Sequence, residues 1–223
     1  MPILTPEQHK SEKFLSTESQ EFWRENSLAC PSCLYCNSSD SILPFLRLEP
    51  IHLSLCLRGK WKKDQIVQYD FKEIARLARS RFVLNPKGIH GIAHWQRVQE
   101  NGLKLAKHNG ANKDVVRLFS FLHDCCREDD NSDPEHGPRA AEFTETLRDK
   151  HIVADDQIFE KLMVAIRDHT EVINHSDIDI ATCWDADRLD IGRVRIKPHR
   201  RYLNTDIAKK DWIINWAYRR SIP

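Results

Sequence analysis

Charge of one sign is what this chain lacks first: 34 Lys and Arg stand against 33 Asp and Glu, a formal +1. No global field therefore draws it toward nucleic acid or a membrane surface. Long apolar runs are missing too, since the longest stretches are a few residues against the roughly 20 that a membrane span needs. The first residues, MPILTPEQHKSEKF, show no basic stretch followed by an apolar one, so no secretory signal is expected. The expectation is a soluble protein of the cytoplasm, with no membrane partner. Seven cysteines are an odd number and include an adjacent pair, Cys125–Cys126. Without export, a disulfide framework is not expected. Repeats and low-complexity tracts are also absent. What is present is an ordinary globular composition, 40% hydrophobic and 30% charged over 223 residues. Such a chain can bury a core unaided and has room for one domain plus a small appendage. Charge is uneven only locally. From Arg188 to Pro223 there are ten Lys/Arg and three Asp/Glu, a candidate surface for an anionic partner, nucleic acid included, or a solvated basic face.

Residues 1–66 read as an appendage and 67–223 as the main domain. The appendage holds a polar start and the cluster CPSCLYCNSSD. Ile51, Leu53, Leu55 and Leu57 then alternate with polar residues, and period two argues for a strand. Arg58-Gly59-Lys60 reads as a turn, with Trp61 to Tyr69 as the return strand of a β-hairpin. From Asp70 the pattern turns helical, and Asp70 can cap the segment that follows through its carboxylate. Further helices are expected at Ile89–His108, ended by Asn109-Gly110, and at Val115–Cys126, apolar almost all round and so central. Four more are expected at Pro134–Lys150, Asp155–Asp168, Ile180–Arg193 and Asp206–Ala217. The main domain is all-α, a helical bundle over about 70–220.

The chemistry-bearing residues are His90, His94, His123, Asp124, His136, His169 and Asp187. His123-Asp124 places an imidazole and a carboxylate at the end of the most hydrophobic helix. A buried carboxylate is costly unless paired, and a divalent cation would pair it. Imidazole and carboxylate are ligands that first-row metals accept. In WDADRLD, Asp185, Asp187 and Asp190 crowd one helix, with Arg188 and Arg193 as compensation. Asp185 reads as a ligand or a partner of one, and Asp190 as an ion-pair partner of nearby arginines. In HGIAHWQRV, His90 and His94 lie at i, i+4 and could share a metal. The intervening Gly, Ile and Ala exclude the HExxH pattern.

The order His94, His123-Asp124, Asp187 on successive helices resembles the HD-domain superfamily of metal-dependent phosphohydrolases, over roughly residues 70–195. The resemblance implies a helical bundle with His94, His123, Asp124 and Asp187 as metal ligands. It implies a divalent transition metal (manganese, nickel, cobalt, iron or zinc), in one or two ions. Magnesium is less natural because it prefers oxygen ligands. His136 and His169 fall where some members carry further histidines, which hold a second ion or face the substrate phosphate. The implied reaction is hydrolysis of a phosphomonoester or phosphodiester, on a nucleotide or related small phosphate, by metal-activated water. Asp124, Arg127, His136 and His169 are the expected catalytic groups. Arg97, Arg127 and Arg188 are the expected neutralisers of phosphoryl charge.

Two other functions stay open: a di-iron oxygenase on the same fold, and a non-catalytic nucleotide-sensing or interaction module. Cys30, Cys33 and Cys36, with Cys56, could bind a structural metal, although free thiols are the favoured reading. Trp184, Trp212 and Trp216 read as core. Oligomeric state is open.

Overall fold

The computed structural model describes residues 67–223. The expected hairpin at 51–69 and Cys30, Cys33, Cys36 and Cys56 therefore lie outside the described residues, apart from the hairpin's last few positions. Those residues form a strand, β1 (Gln68–Tyr69), but its partner is β2 (Ile152–Val153), paired antiparallel as Gln68↔Val153 and Tyr69↔Ile152. The rest of the described chain is helical: α1 (Phe71–Arg81), α2 (Ile92–Asn109), α3 (Lys113–Leu122), α4 (His136–Glu145), α5 (Asp156–Asp168), α6 (Ile178–Arg188) and α7 (Asp211–Ser221). Two 3-10 turns, Ile191–Val194 and Arg200–Tyr202, lie between α6 and α7.

Local chemistry sets several boundaries. Asp70 Oδ1 accepts from the Glu73 N–H at 3.0 Å, Asn112 caps α3, and Asp155 caps α5. Each satisfies backbone donors that the first helical turn leaves free. Gly110 closes α2 at φ 77°, a left-handed position that glycine reaches without a Cβ penalty.

Helix α3 is the hub, touching α1, α2, α4, α5 and α6. Seven of its ten residues are buried, with Leu118, Phe119, Phe121 and Leu122 fully enclosed. Each such side chain contributes about 1.5–3 kcal/mol through removal from water. Around it α2 packs on α6, and α4 packs on α5. A smaller second core joins Leu105 and Leu189 to Leu203, Ile213, Ile214 and Ala217, so the basic C-terminal stretch is folded onto the bundle.

Several expectations shift, and α6 ends at Arg188 where Arg193 was expected. Helix α3 stops at Leu122, leaving His123 to Cys126 in a turn. Helix α4 stops at Glu145 and does not reach Lys150, because the chain turns through Asp149 (φ 59°) into β2. Helix α7 starts at Asp211, five residues later than Asp206. Trp212 is about half exposed, unlike the fully buried Trp184. No helix among the described residues is long and apolar enough to cross a membrane.

Candidate metal centre

Five elements deliver the site. Helix α2 contributes His94, one turn in from its start. The turn after α3 contributes His123 and Asp124, the first residue of α4 is His136, the cap of α5 is His169, and the last turn of α6 carries Asp187. The four histidines and Asp124 are all buried. The structure thus gathers the four expected ligands and both additional histidines at one place.

Asp124 lies in the middle and faces two ways. Its Oδ2 is 3.4 Å from His94 Nε2 and 3.5 Å from His123 Nε2. Its Oδ1 is 3.2 Å from His136 Nε2 and 3.9 Å from His169 Nε2. On the first side His94 Nε2 is 3.1 Å from His123 Nε2 and 3.3 Å from Asp187 Oδ1. On the second, the Nε2 atoms of His136 and His169 are 2.9 Å apart. Two groups of donors, His94/His123/Asp124 and Asp124/His136/His169, could each hold a metal ion.

The opposite ring nitrogens explain why the Nε2 atoms converge. His123 Nδ1 donates to the Phe119 carbonyl at 3.1 Å, and His169 Nδ1 to that of Ile166 at 2.7 Å. His136 Nδ1 donates to the Asp133 carbonyl. A carbonyl only accepts, so these Nδ1 atoms carry hydrogen and the neutral rings aim Nε2 lone pairs inward. His94 Nδ1 meets Asp190 Oδ2 at 2.7 Å, and Arg97 holds that carboxylate with Nε at 2.6 Å and Nη2 at 3.0 Å. This is the outer support that orients metal-binding imidazoles.

Lone pairs do not face each other across 3 Å without a cation between them. Ligands about 2.0–2.2 Å from a common ion lie about 3.0–3.5 Å from one another, from the usual metal–nitrogen and metal–oxygen lengths. The 3.1–3.5 Å separations on the first side fit that spacing.

Without an ion, protons take its place. Burial and Arg193 press His94 toward neutrality, but Asp124, Asp187 and Asp190 outweigh them and hold its pKa up at about 9. Burial drives His123 down to about 3. The second pair divides likewise: burial opposes His136, yet Asp124 raises it, while burial lowers His169. Each pair thus sets one imidazole that favours a proton beside one that resists it. Burial also works against the charged forms of Asp124 and Asp187, and the facing imidazoles, joined at Asp187 by Arg193, keep both well below the usual carboxylate range.

The cations divide by role. Arg127 Nη1 lies 3.6 Å from Asp124 Oδ1 and within 3.2 Å of the His136 ring nitrogens. Arg193 Nη2 is 4.0 Å from Asp187 Oδ1, and its Nε is buried without a hydrogen-bond partner. Arg97 is engaged with Asp190. Arg188 does not turn to the cluster: it donates to the carbonyls of His169, Val172, Ile173 and Tyr202, fixing the loop after α5. Asp185 is no ligand either, because both its oxygens accept from Asn204 and Thr205. His90 lies edge-on to His94, with its Nδ1 2.9 Å from Asp130 Oδ1. Sequence reasoning did not find the His90–Asp130 pair or the contact of Asp190 with His94. Their only signal was acidic residues at long separation.

Comparison of the chain with known protein families, curated proteins and solved structures finds no match.

Proposed function

We propose that this chain is a metal-dependent phosphohydrolase of the HD type with a two-ion centre, acting on a nucleotide or related small phosphate. The observation that carries the reading is Asp124, a buried carboxylate with one oxygen toward each of two imidazole pairs. His94, His123, Asp124 and Asp187 would hold one divalent ion, and Asp124, His136 and His169 the other. Such ions supply Lewis acidity and make nucleophilic water available near neutral pH.

The chain's own groups do the rest. Arg193 offers a buried, unpartnered Nε–H beside Asp187, and a phosphoryl oxygen is the acceptor that a guanidinium fork fits. Arg127, against Asp124 and His136, supplies a second positive charge where negative charge would grow on the phosphoryl group. Arg97 acts through Asp190 on the orientation of His94. Arg188 holds the loop that follows His169.

The same imidazole pairs suit a di-iron oxygenase, and the second pair is the observation that keeps that reading in view. Arg193 and Arg127 favour an anionic substrate instead. The test is metal content and hydrolysis of a phosphoester panel by wild type and Asp124→Ala. Metal and hydrolysis in the first, both lost in the second, is the expected result. Two irons with a mixed-valent visible signal and no hydrolysis would favour the oxygenase. A wild type that holds no metal after reloading would sink both.

A further inference from the structure

The metal centre leaves the adjacent thiols unused. Cys125 is fully buried, and its Sγ lies 3.7 Å from that of Cys126. Cys126 forms part of the wall of a separate cavity of about 640 Å³, lined also by Arg81, Arg139, Glu128, Glu142 and Phe143. None of the imidazoles of the cluster lines it. Arg81 lines the same cavity as Cys126. Arg139 donates to the Cys126 carbonyl through Nε at 3.2 Å and Nη2 at 3.0 Å, which fixes the residue on the cavity wall.

We propose that this dithiol is a thiol–disulfide exchange site for a small zwitterionic peptide disulfide, and that its oxidation loosens the neighbouring metal centre. Arg139 is held by Asp133 and Glu128, so Arg81 is the guanidinium that suits a ligand's carboxylate and Glu142 the carboxylate that suits its ammonium group. The Cys126 thiolate attacks one sulfur of the incoming disulfide. A mixed disulfide forms and one ligand thiolate leaves. Cys125, in van der Waals contact, then attacks Cys126 Sγ and expels the second ligand thiolate, which takes up the Cys125 proton. The protein loses two electrons and two protons, and one disulfide becomes two thiols. Exchange by such in-line attack is the ordinary route of disulfide chemistry.

Adjacent cysteines have Cα atoms about 3.8 Å apart, below the usual 4.4–6.8 Å span of a disulfide. The product is therefore strained and easily reduced, which suits a reversible mark. Closing the bond draws the two sulfurs from 3.7 Å to bonding distance and twists the turn that begins at His123-Asp124. Asp124 serves both halves of the metal centre, so both would loosen together. That coupling, unlike the exchange, rests on the metal-centre reading.

The experiment uses the full chain, metal-loaded, with oxidised glutathione as probe. Trypsin releases Leu118–Arg127, which holds both thiols and no other cysteine, while Cys183 lies in Asp168–Arg188 as a fully buried control. The wild-type peptide is expected to lose two hydrogens reversibly while the Cys183 peptide stays unmodified. Cys125→Ser is expected to trap the glutathione adduct on Cys126. With each rate normalised to that of free cysteine, glutathione disulfide is expected to react about tenfold faster than neutral bis(2-hydroxyethyl) disulfide, a modest charge-complementarity effect. A peptide that stays a dithiol under fully oxidising conditions overturns the exchange site, and the wild type alone decides this should the variant fold poorly. Equal normalised rates overturn the ligand class. Oxidised protein that keeps its metal overturns the coupling. A chain that never held metal contradicts the functional reading and leaves the disulfide result standing.

Discussion

At the scale of single residues, Asp190 shows how much of the centre lies behind its ligands. Its carboxylate touches no candidate ion. It receives His94 Nδ1–H on one side and the Arg97 guanidinium on the other. Asp190→Asn keeps the shape but removes the charge that orients His94 and raises its basicity. Loss of such outer partners weakens metal binding about 10–100-fold. A competition titration with a chelating dye should show that loss while the helical signal stays intact, and unchanged affinity would reduce Asp190 to a packing ion pair. Sequence reading expects nearby arginines for Asp190, whereas its partners are Arg97 and His94, more than ninety positions away. It takes Asp187 as a ligand through the resemblance but leaves Asp185 open between a ligand and a partner of one. A step of two residues turns a helix by about 200°, so Asp185 and Asp187 leave on nearly opposite sides. Asp187 meets His94, whereas Asp185 meets Asn204 and Thr205, 19 and 20 residues further along the chain.

At the scale of elements, the second half of the centre depends on how closely α4 lies on α5. A Cβ at Gly137 would sit 2.5 Å from the Arg167 carbonyl and 3.0 Å from that of Ile166. The Ile166 carbonyl is also the acceptor that orients His169. Gly137→Ala must push the helices apart and with them His136 from His169. Overpacking of this kind costs about 1–3 kcal/mol. Thermal unfolding should shift down by several degrees, and metal stoichiometry should fall by the ion of the His136/His169 side while the His94/His123 side keeps its own. Equal loss from both sides would show that the helix contact does not separate them. Gly137 reads in the sequence only as a helix-start glycine, because the atom it avoids belongs to an element thirty residues away. What could be read were features with local causes: the Asp70 cap, the Gly110 terminus, and α3, whose apolar surface on all sides has only the middle of a bundle to go to. What could not were features set by distant partners. Helix α4 ends early so that Ile152–Val153 can pair with Gln68–Tyr69. Helix α7 starts late because Asp185 holds Asn204 and Thr205 in a non-helical turn.

At the scale of the whole molecule, the centre ties folding to pH through the protons that stand where ions fit. Burial and Arg193 oppose the charge on His94, but three carboxylates hold its folded pKa at about 9, above the ordinary value near 6.5. A group raised in this way contributes stability that is full below about 6.5 and is lost as pH rises through about 9. His136, also raised, acts in the same direction. His123 has the opposite sign. Burial puts its folded pKa at about 3, so its contribution is present above about 6.5 and is lost as pH falls toward 3. In metal-free protein the His94 contribution is therefore full near pH 6.5 and lost by about 9. A bound ion replaces the His94 proton, so the loaded form escapes that alkaline loss. Metal affinity correspondingly weakens as pH falls below about 9, by up to tenfold per unit for each proton displaced. The thiol of Cys126, held down by Cys125 and by the positive charges of Arg81 and Arg139, titrates in both forms and largely cancels from their difference. The measurement is the melting temperature of chelator-treated and metal-loaded protein at pH 6.5, 7.5 and 9. The gap between them should widen with each step. A gap that narrows would mean that no proton leaves the His94 position when metal enters, and that the ion, if bound, sits elsewhere.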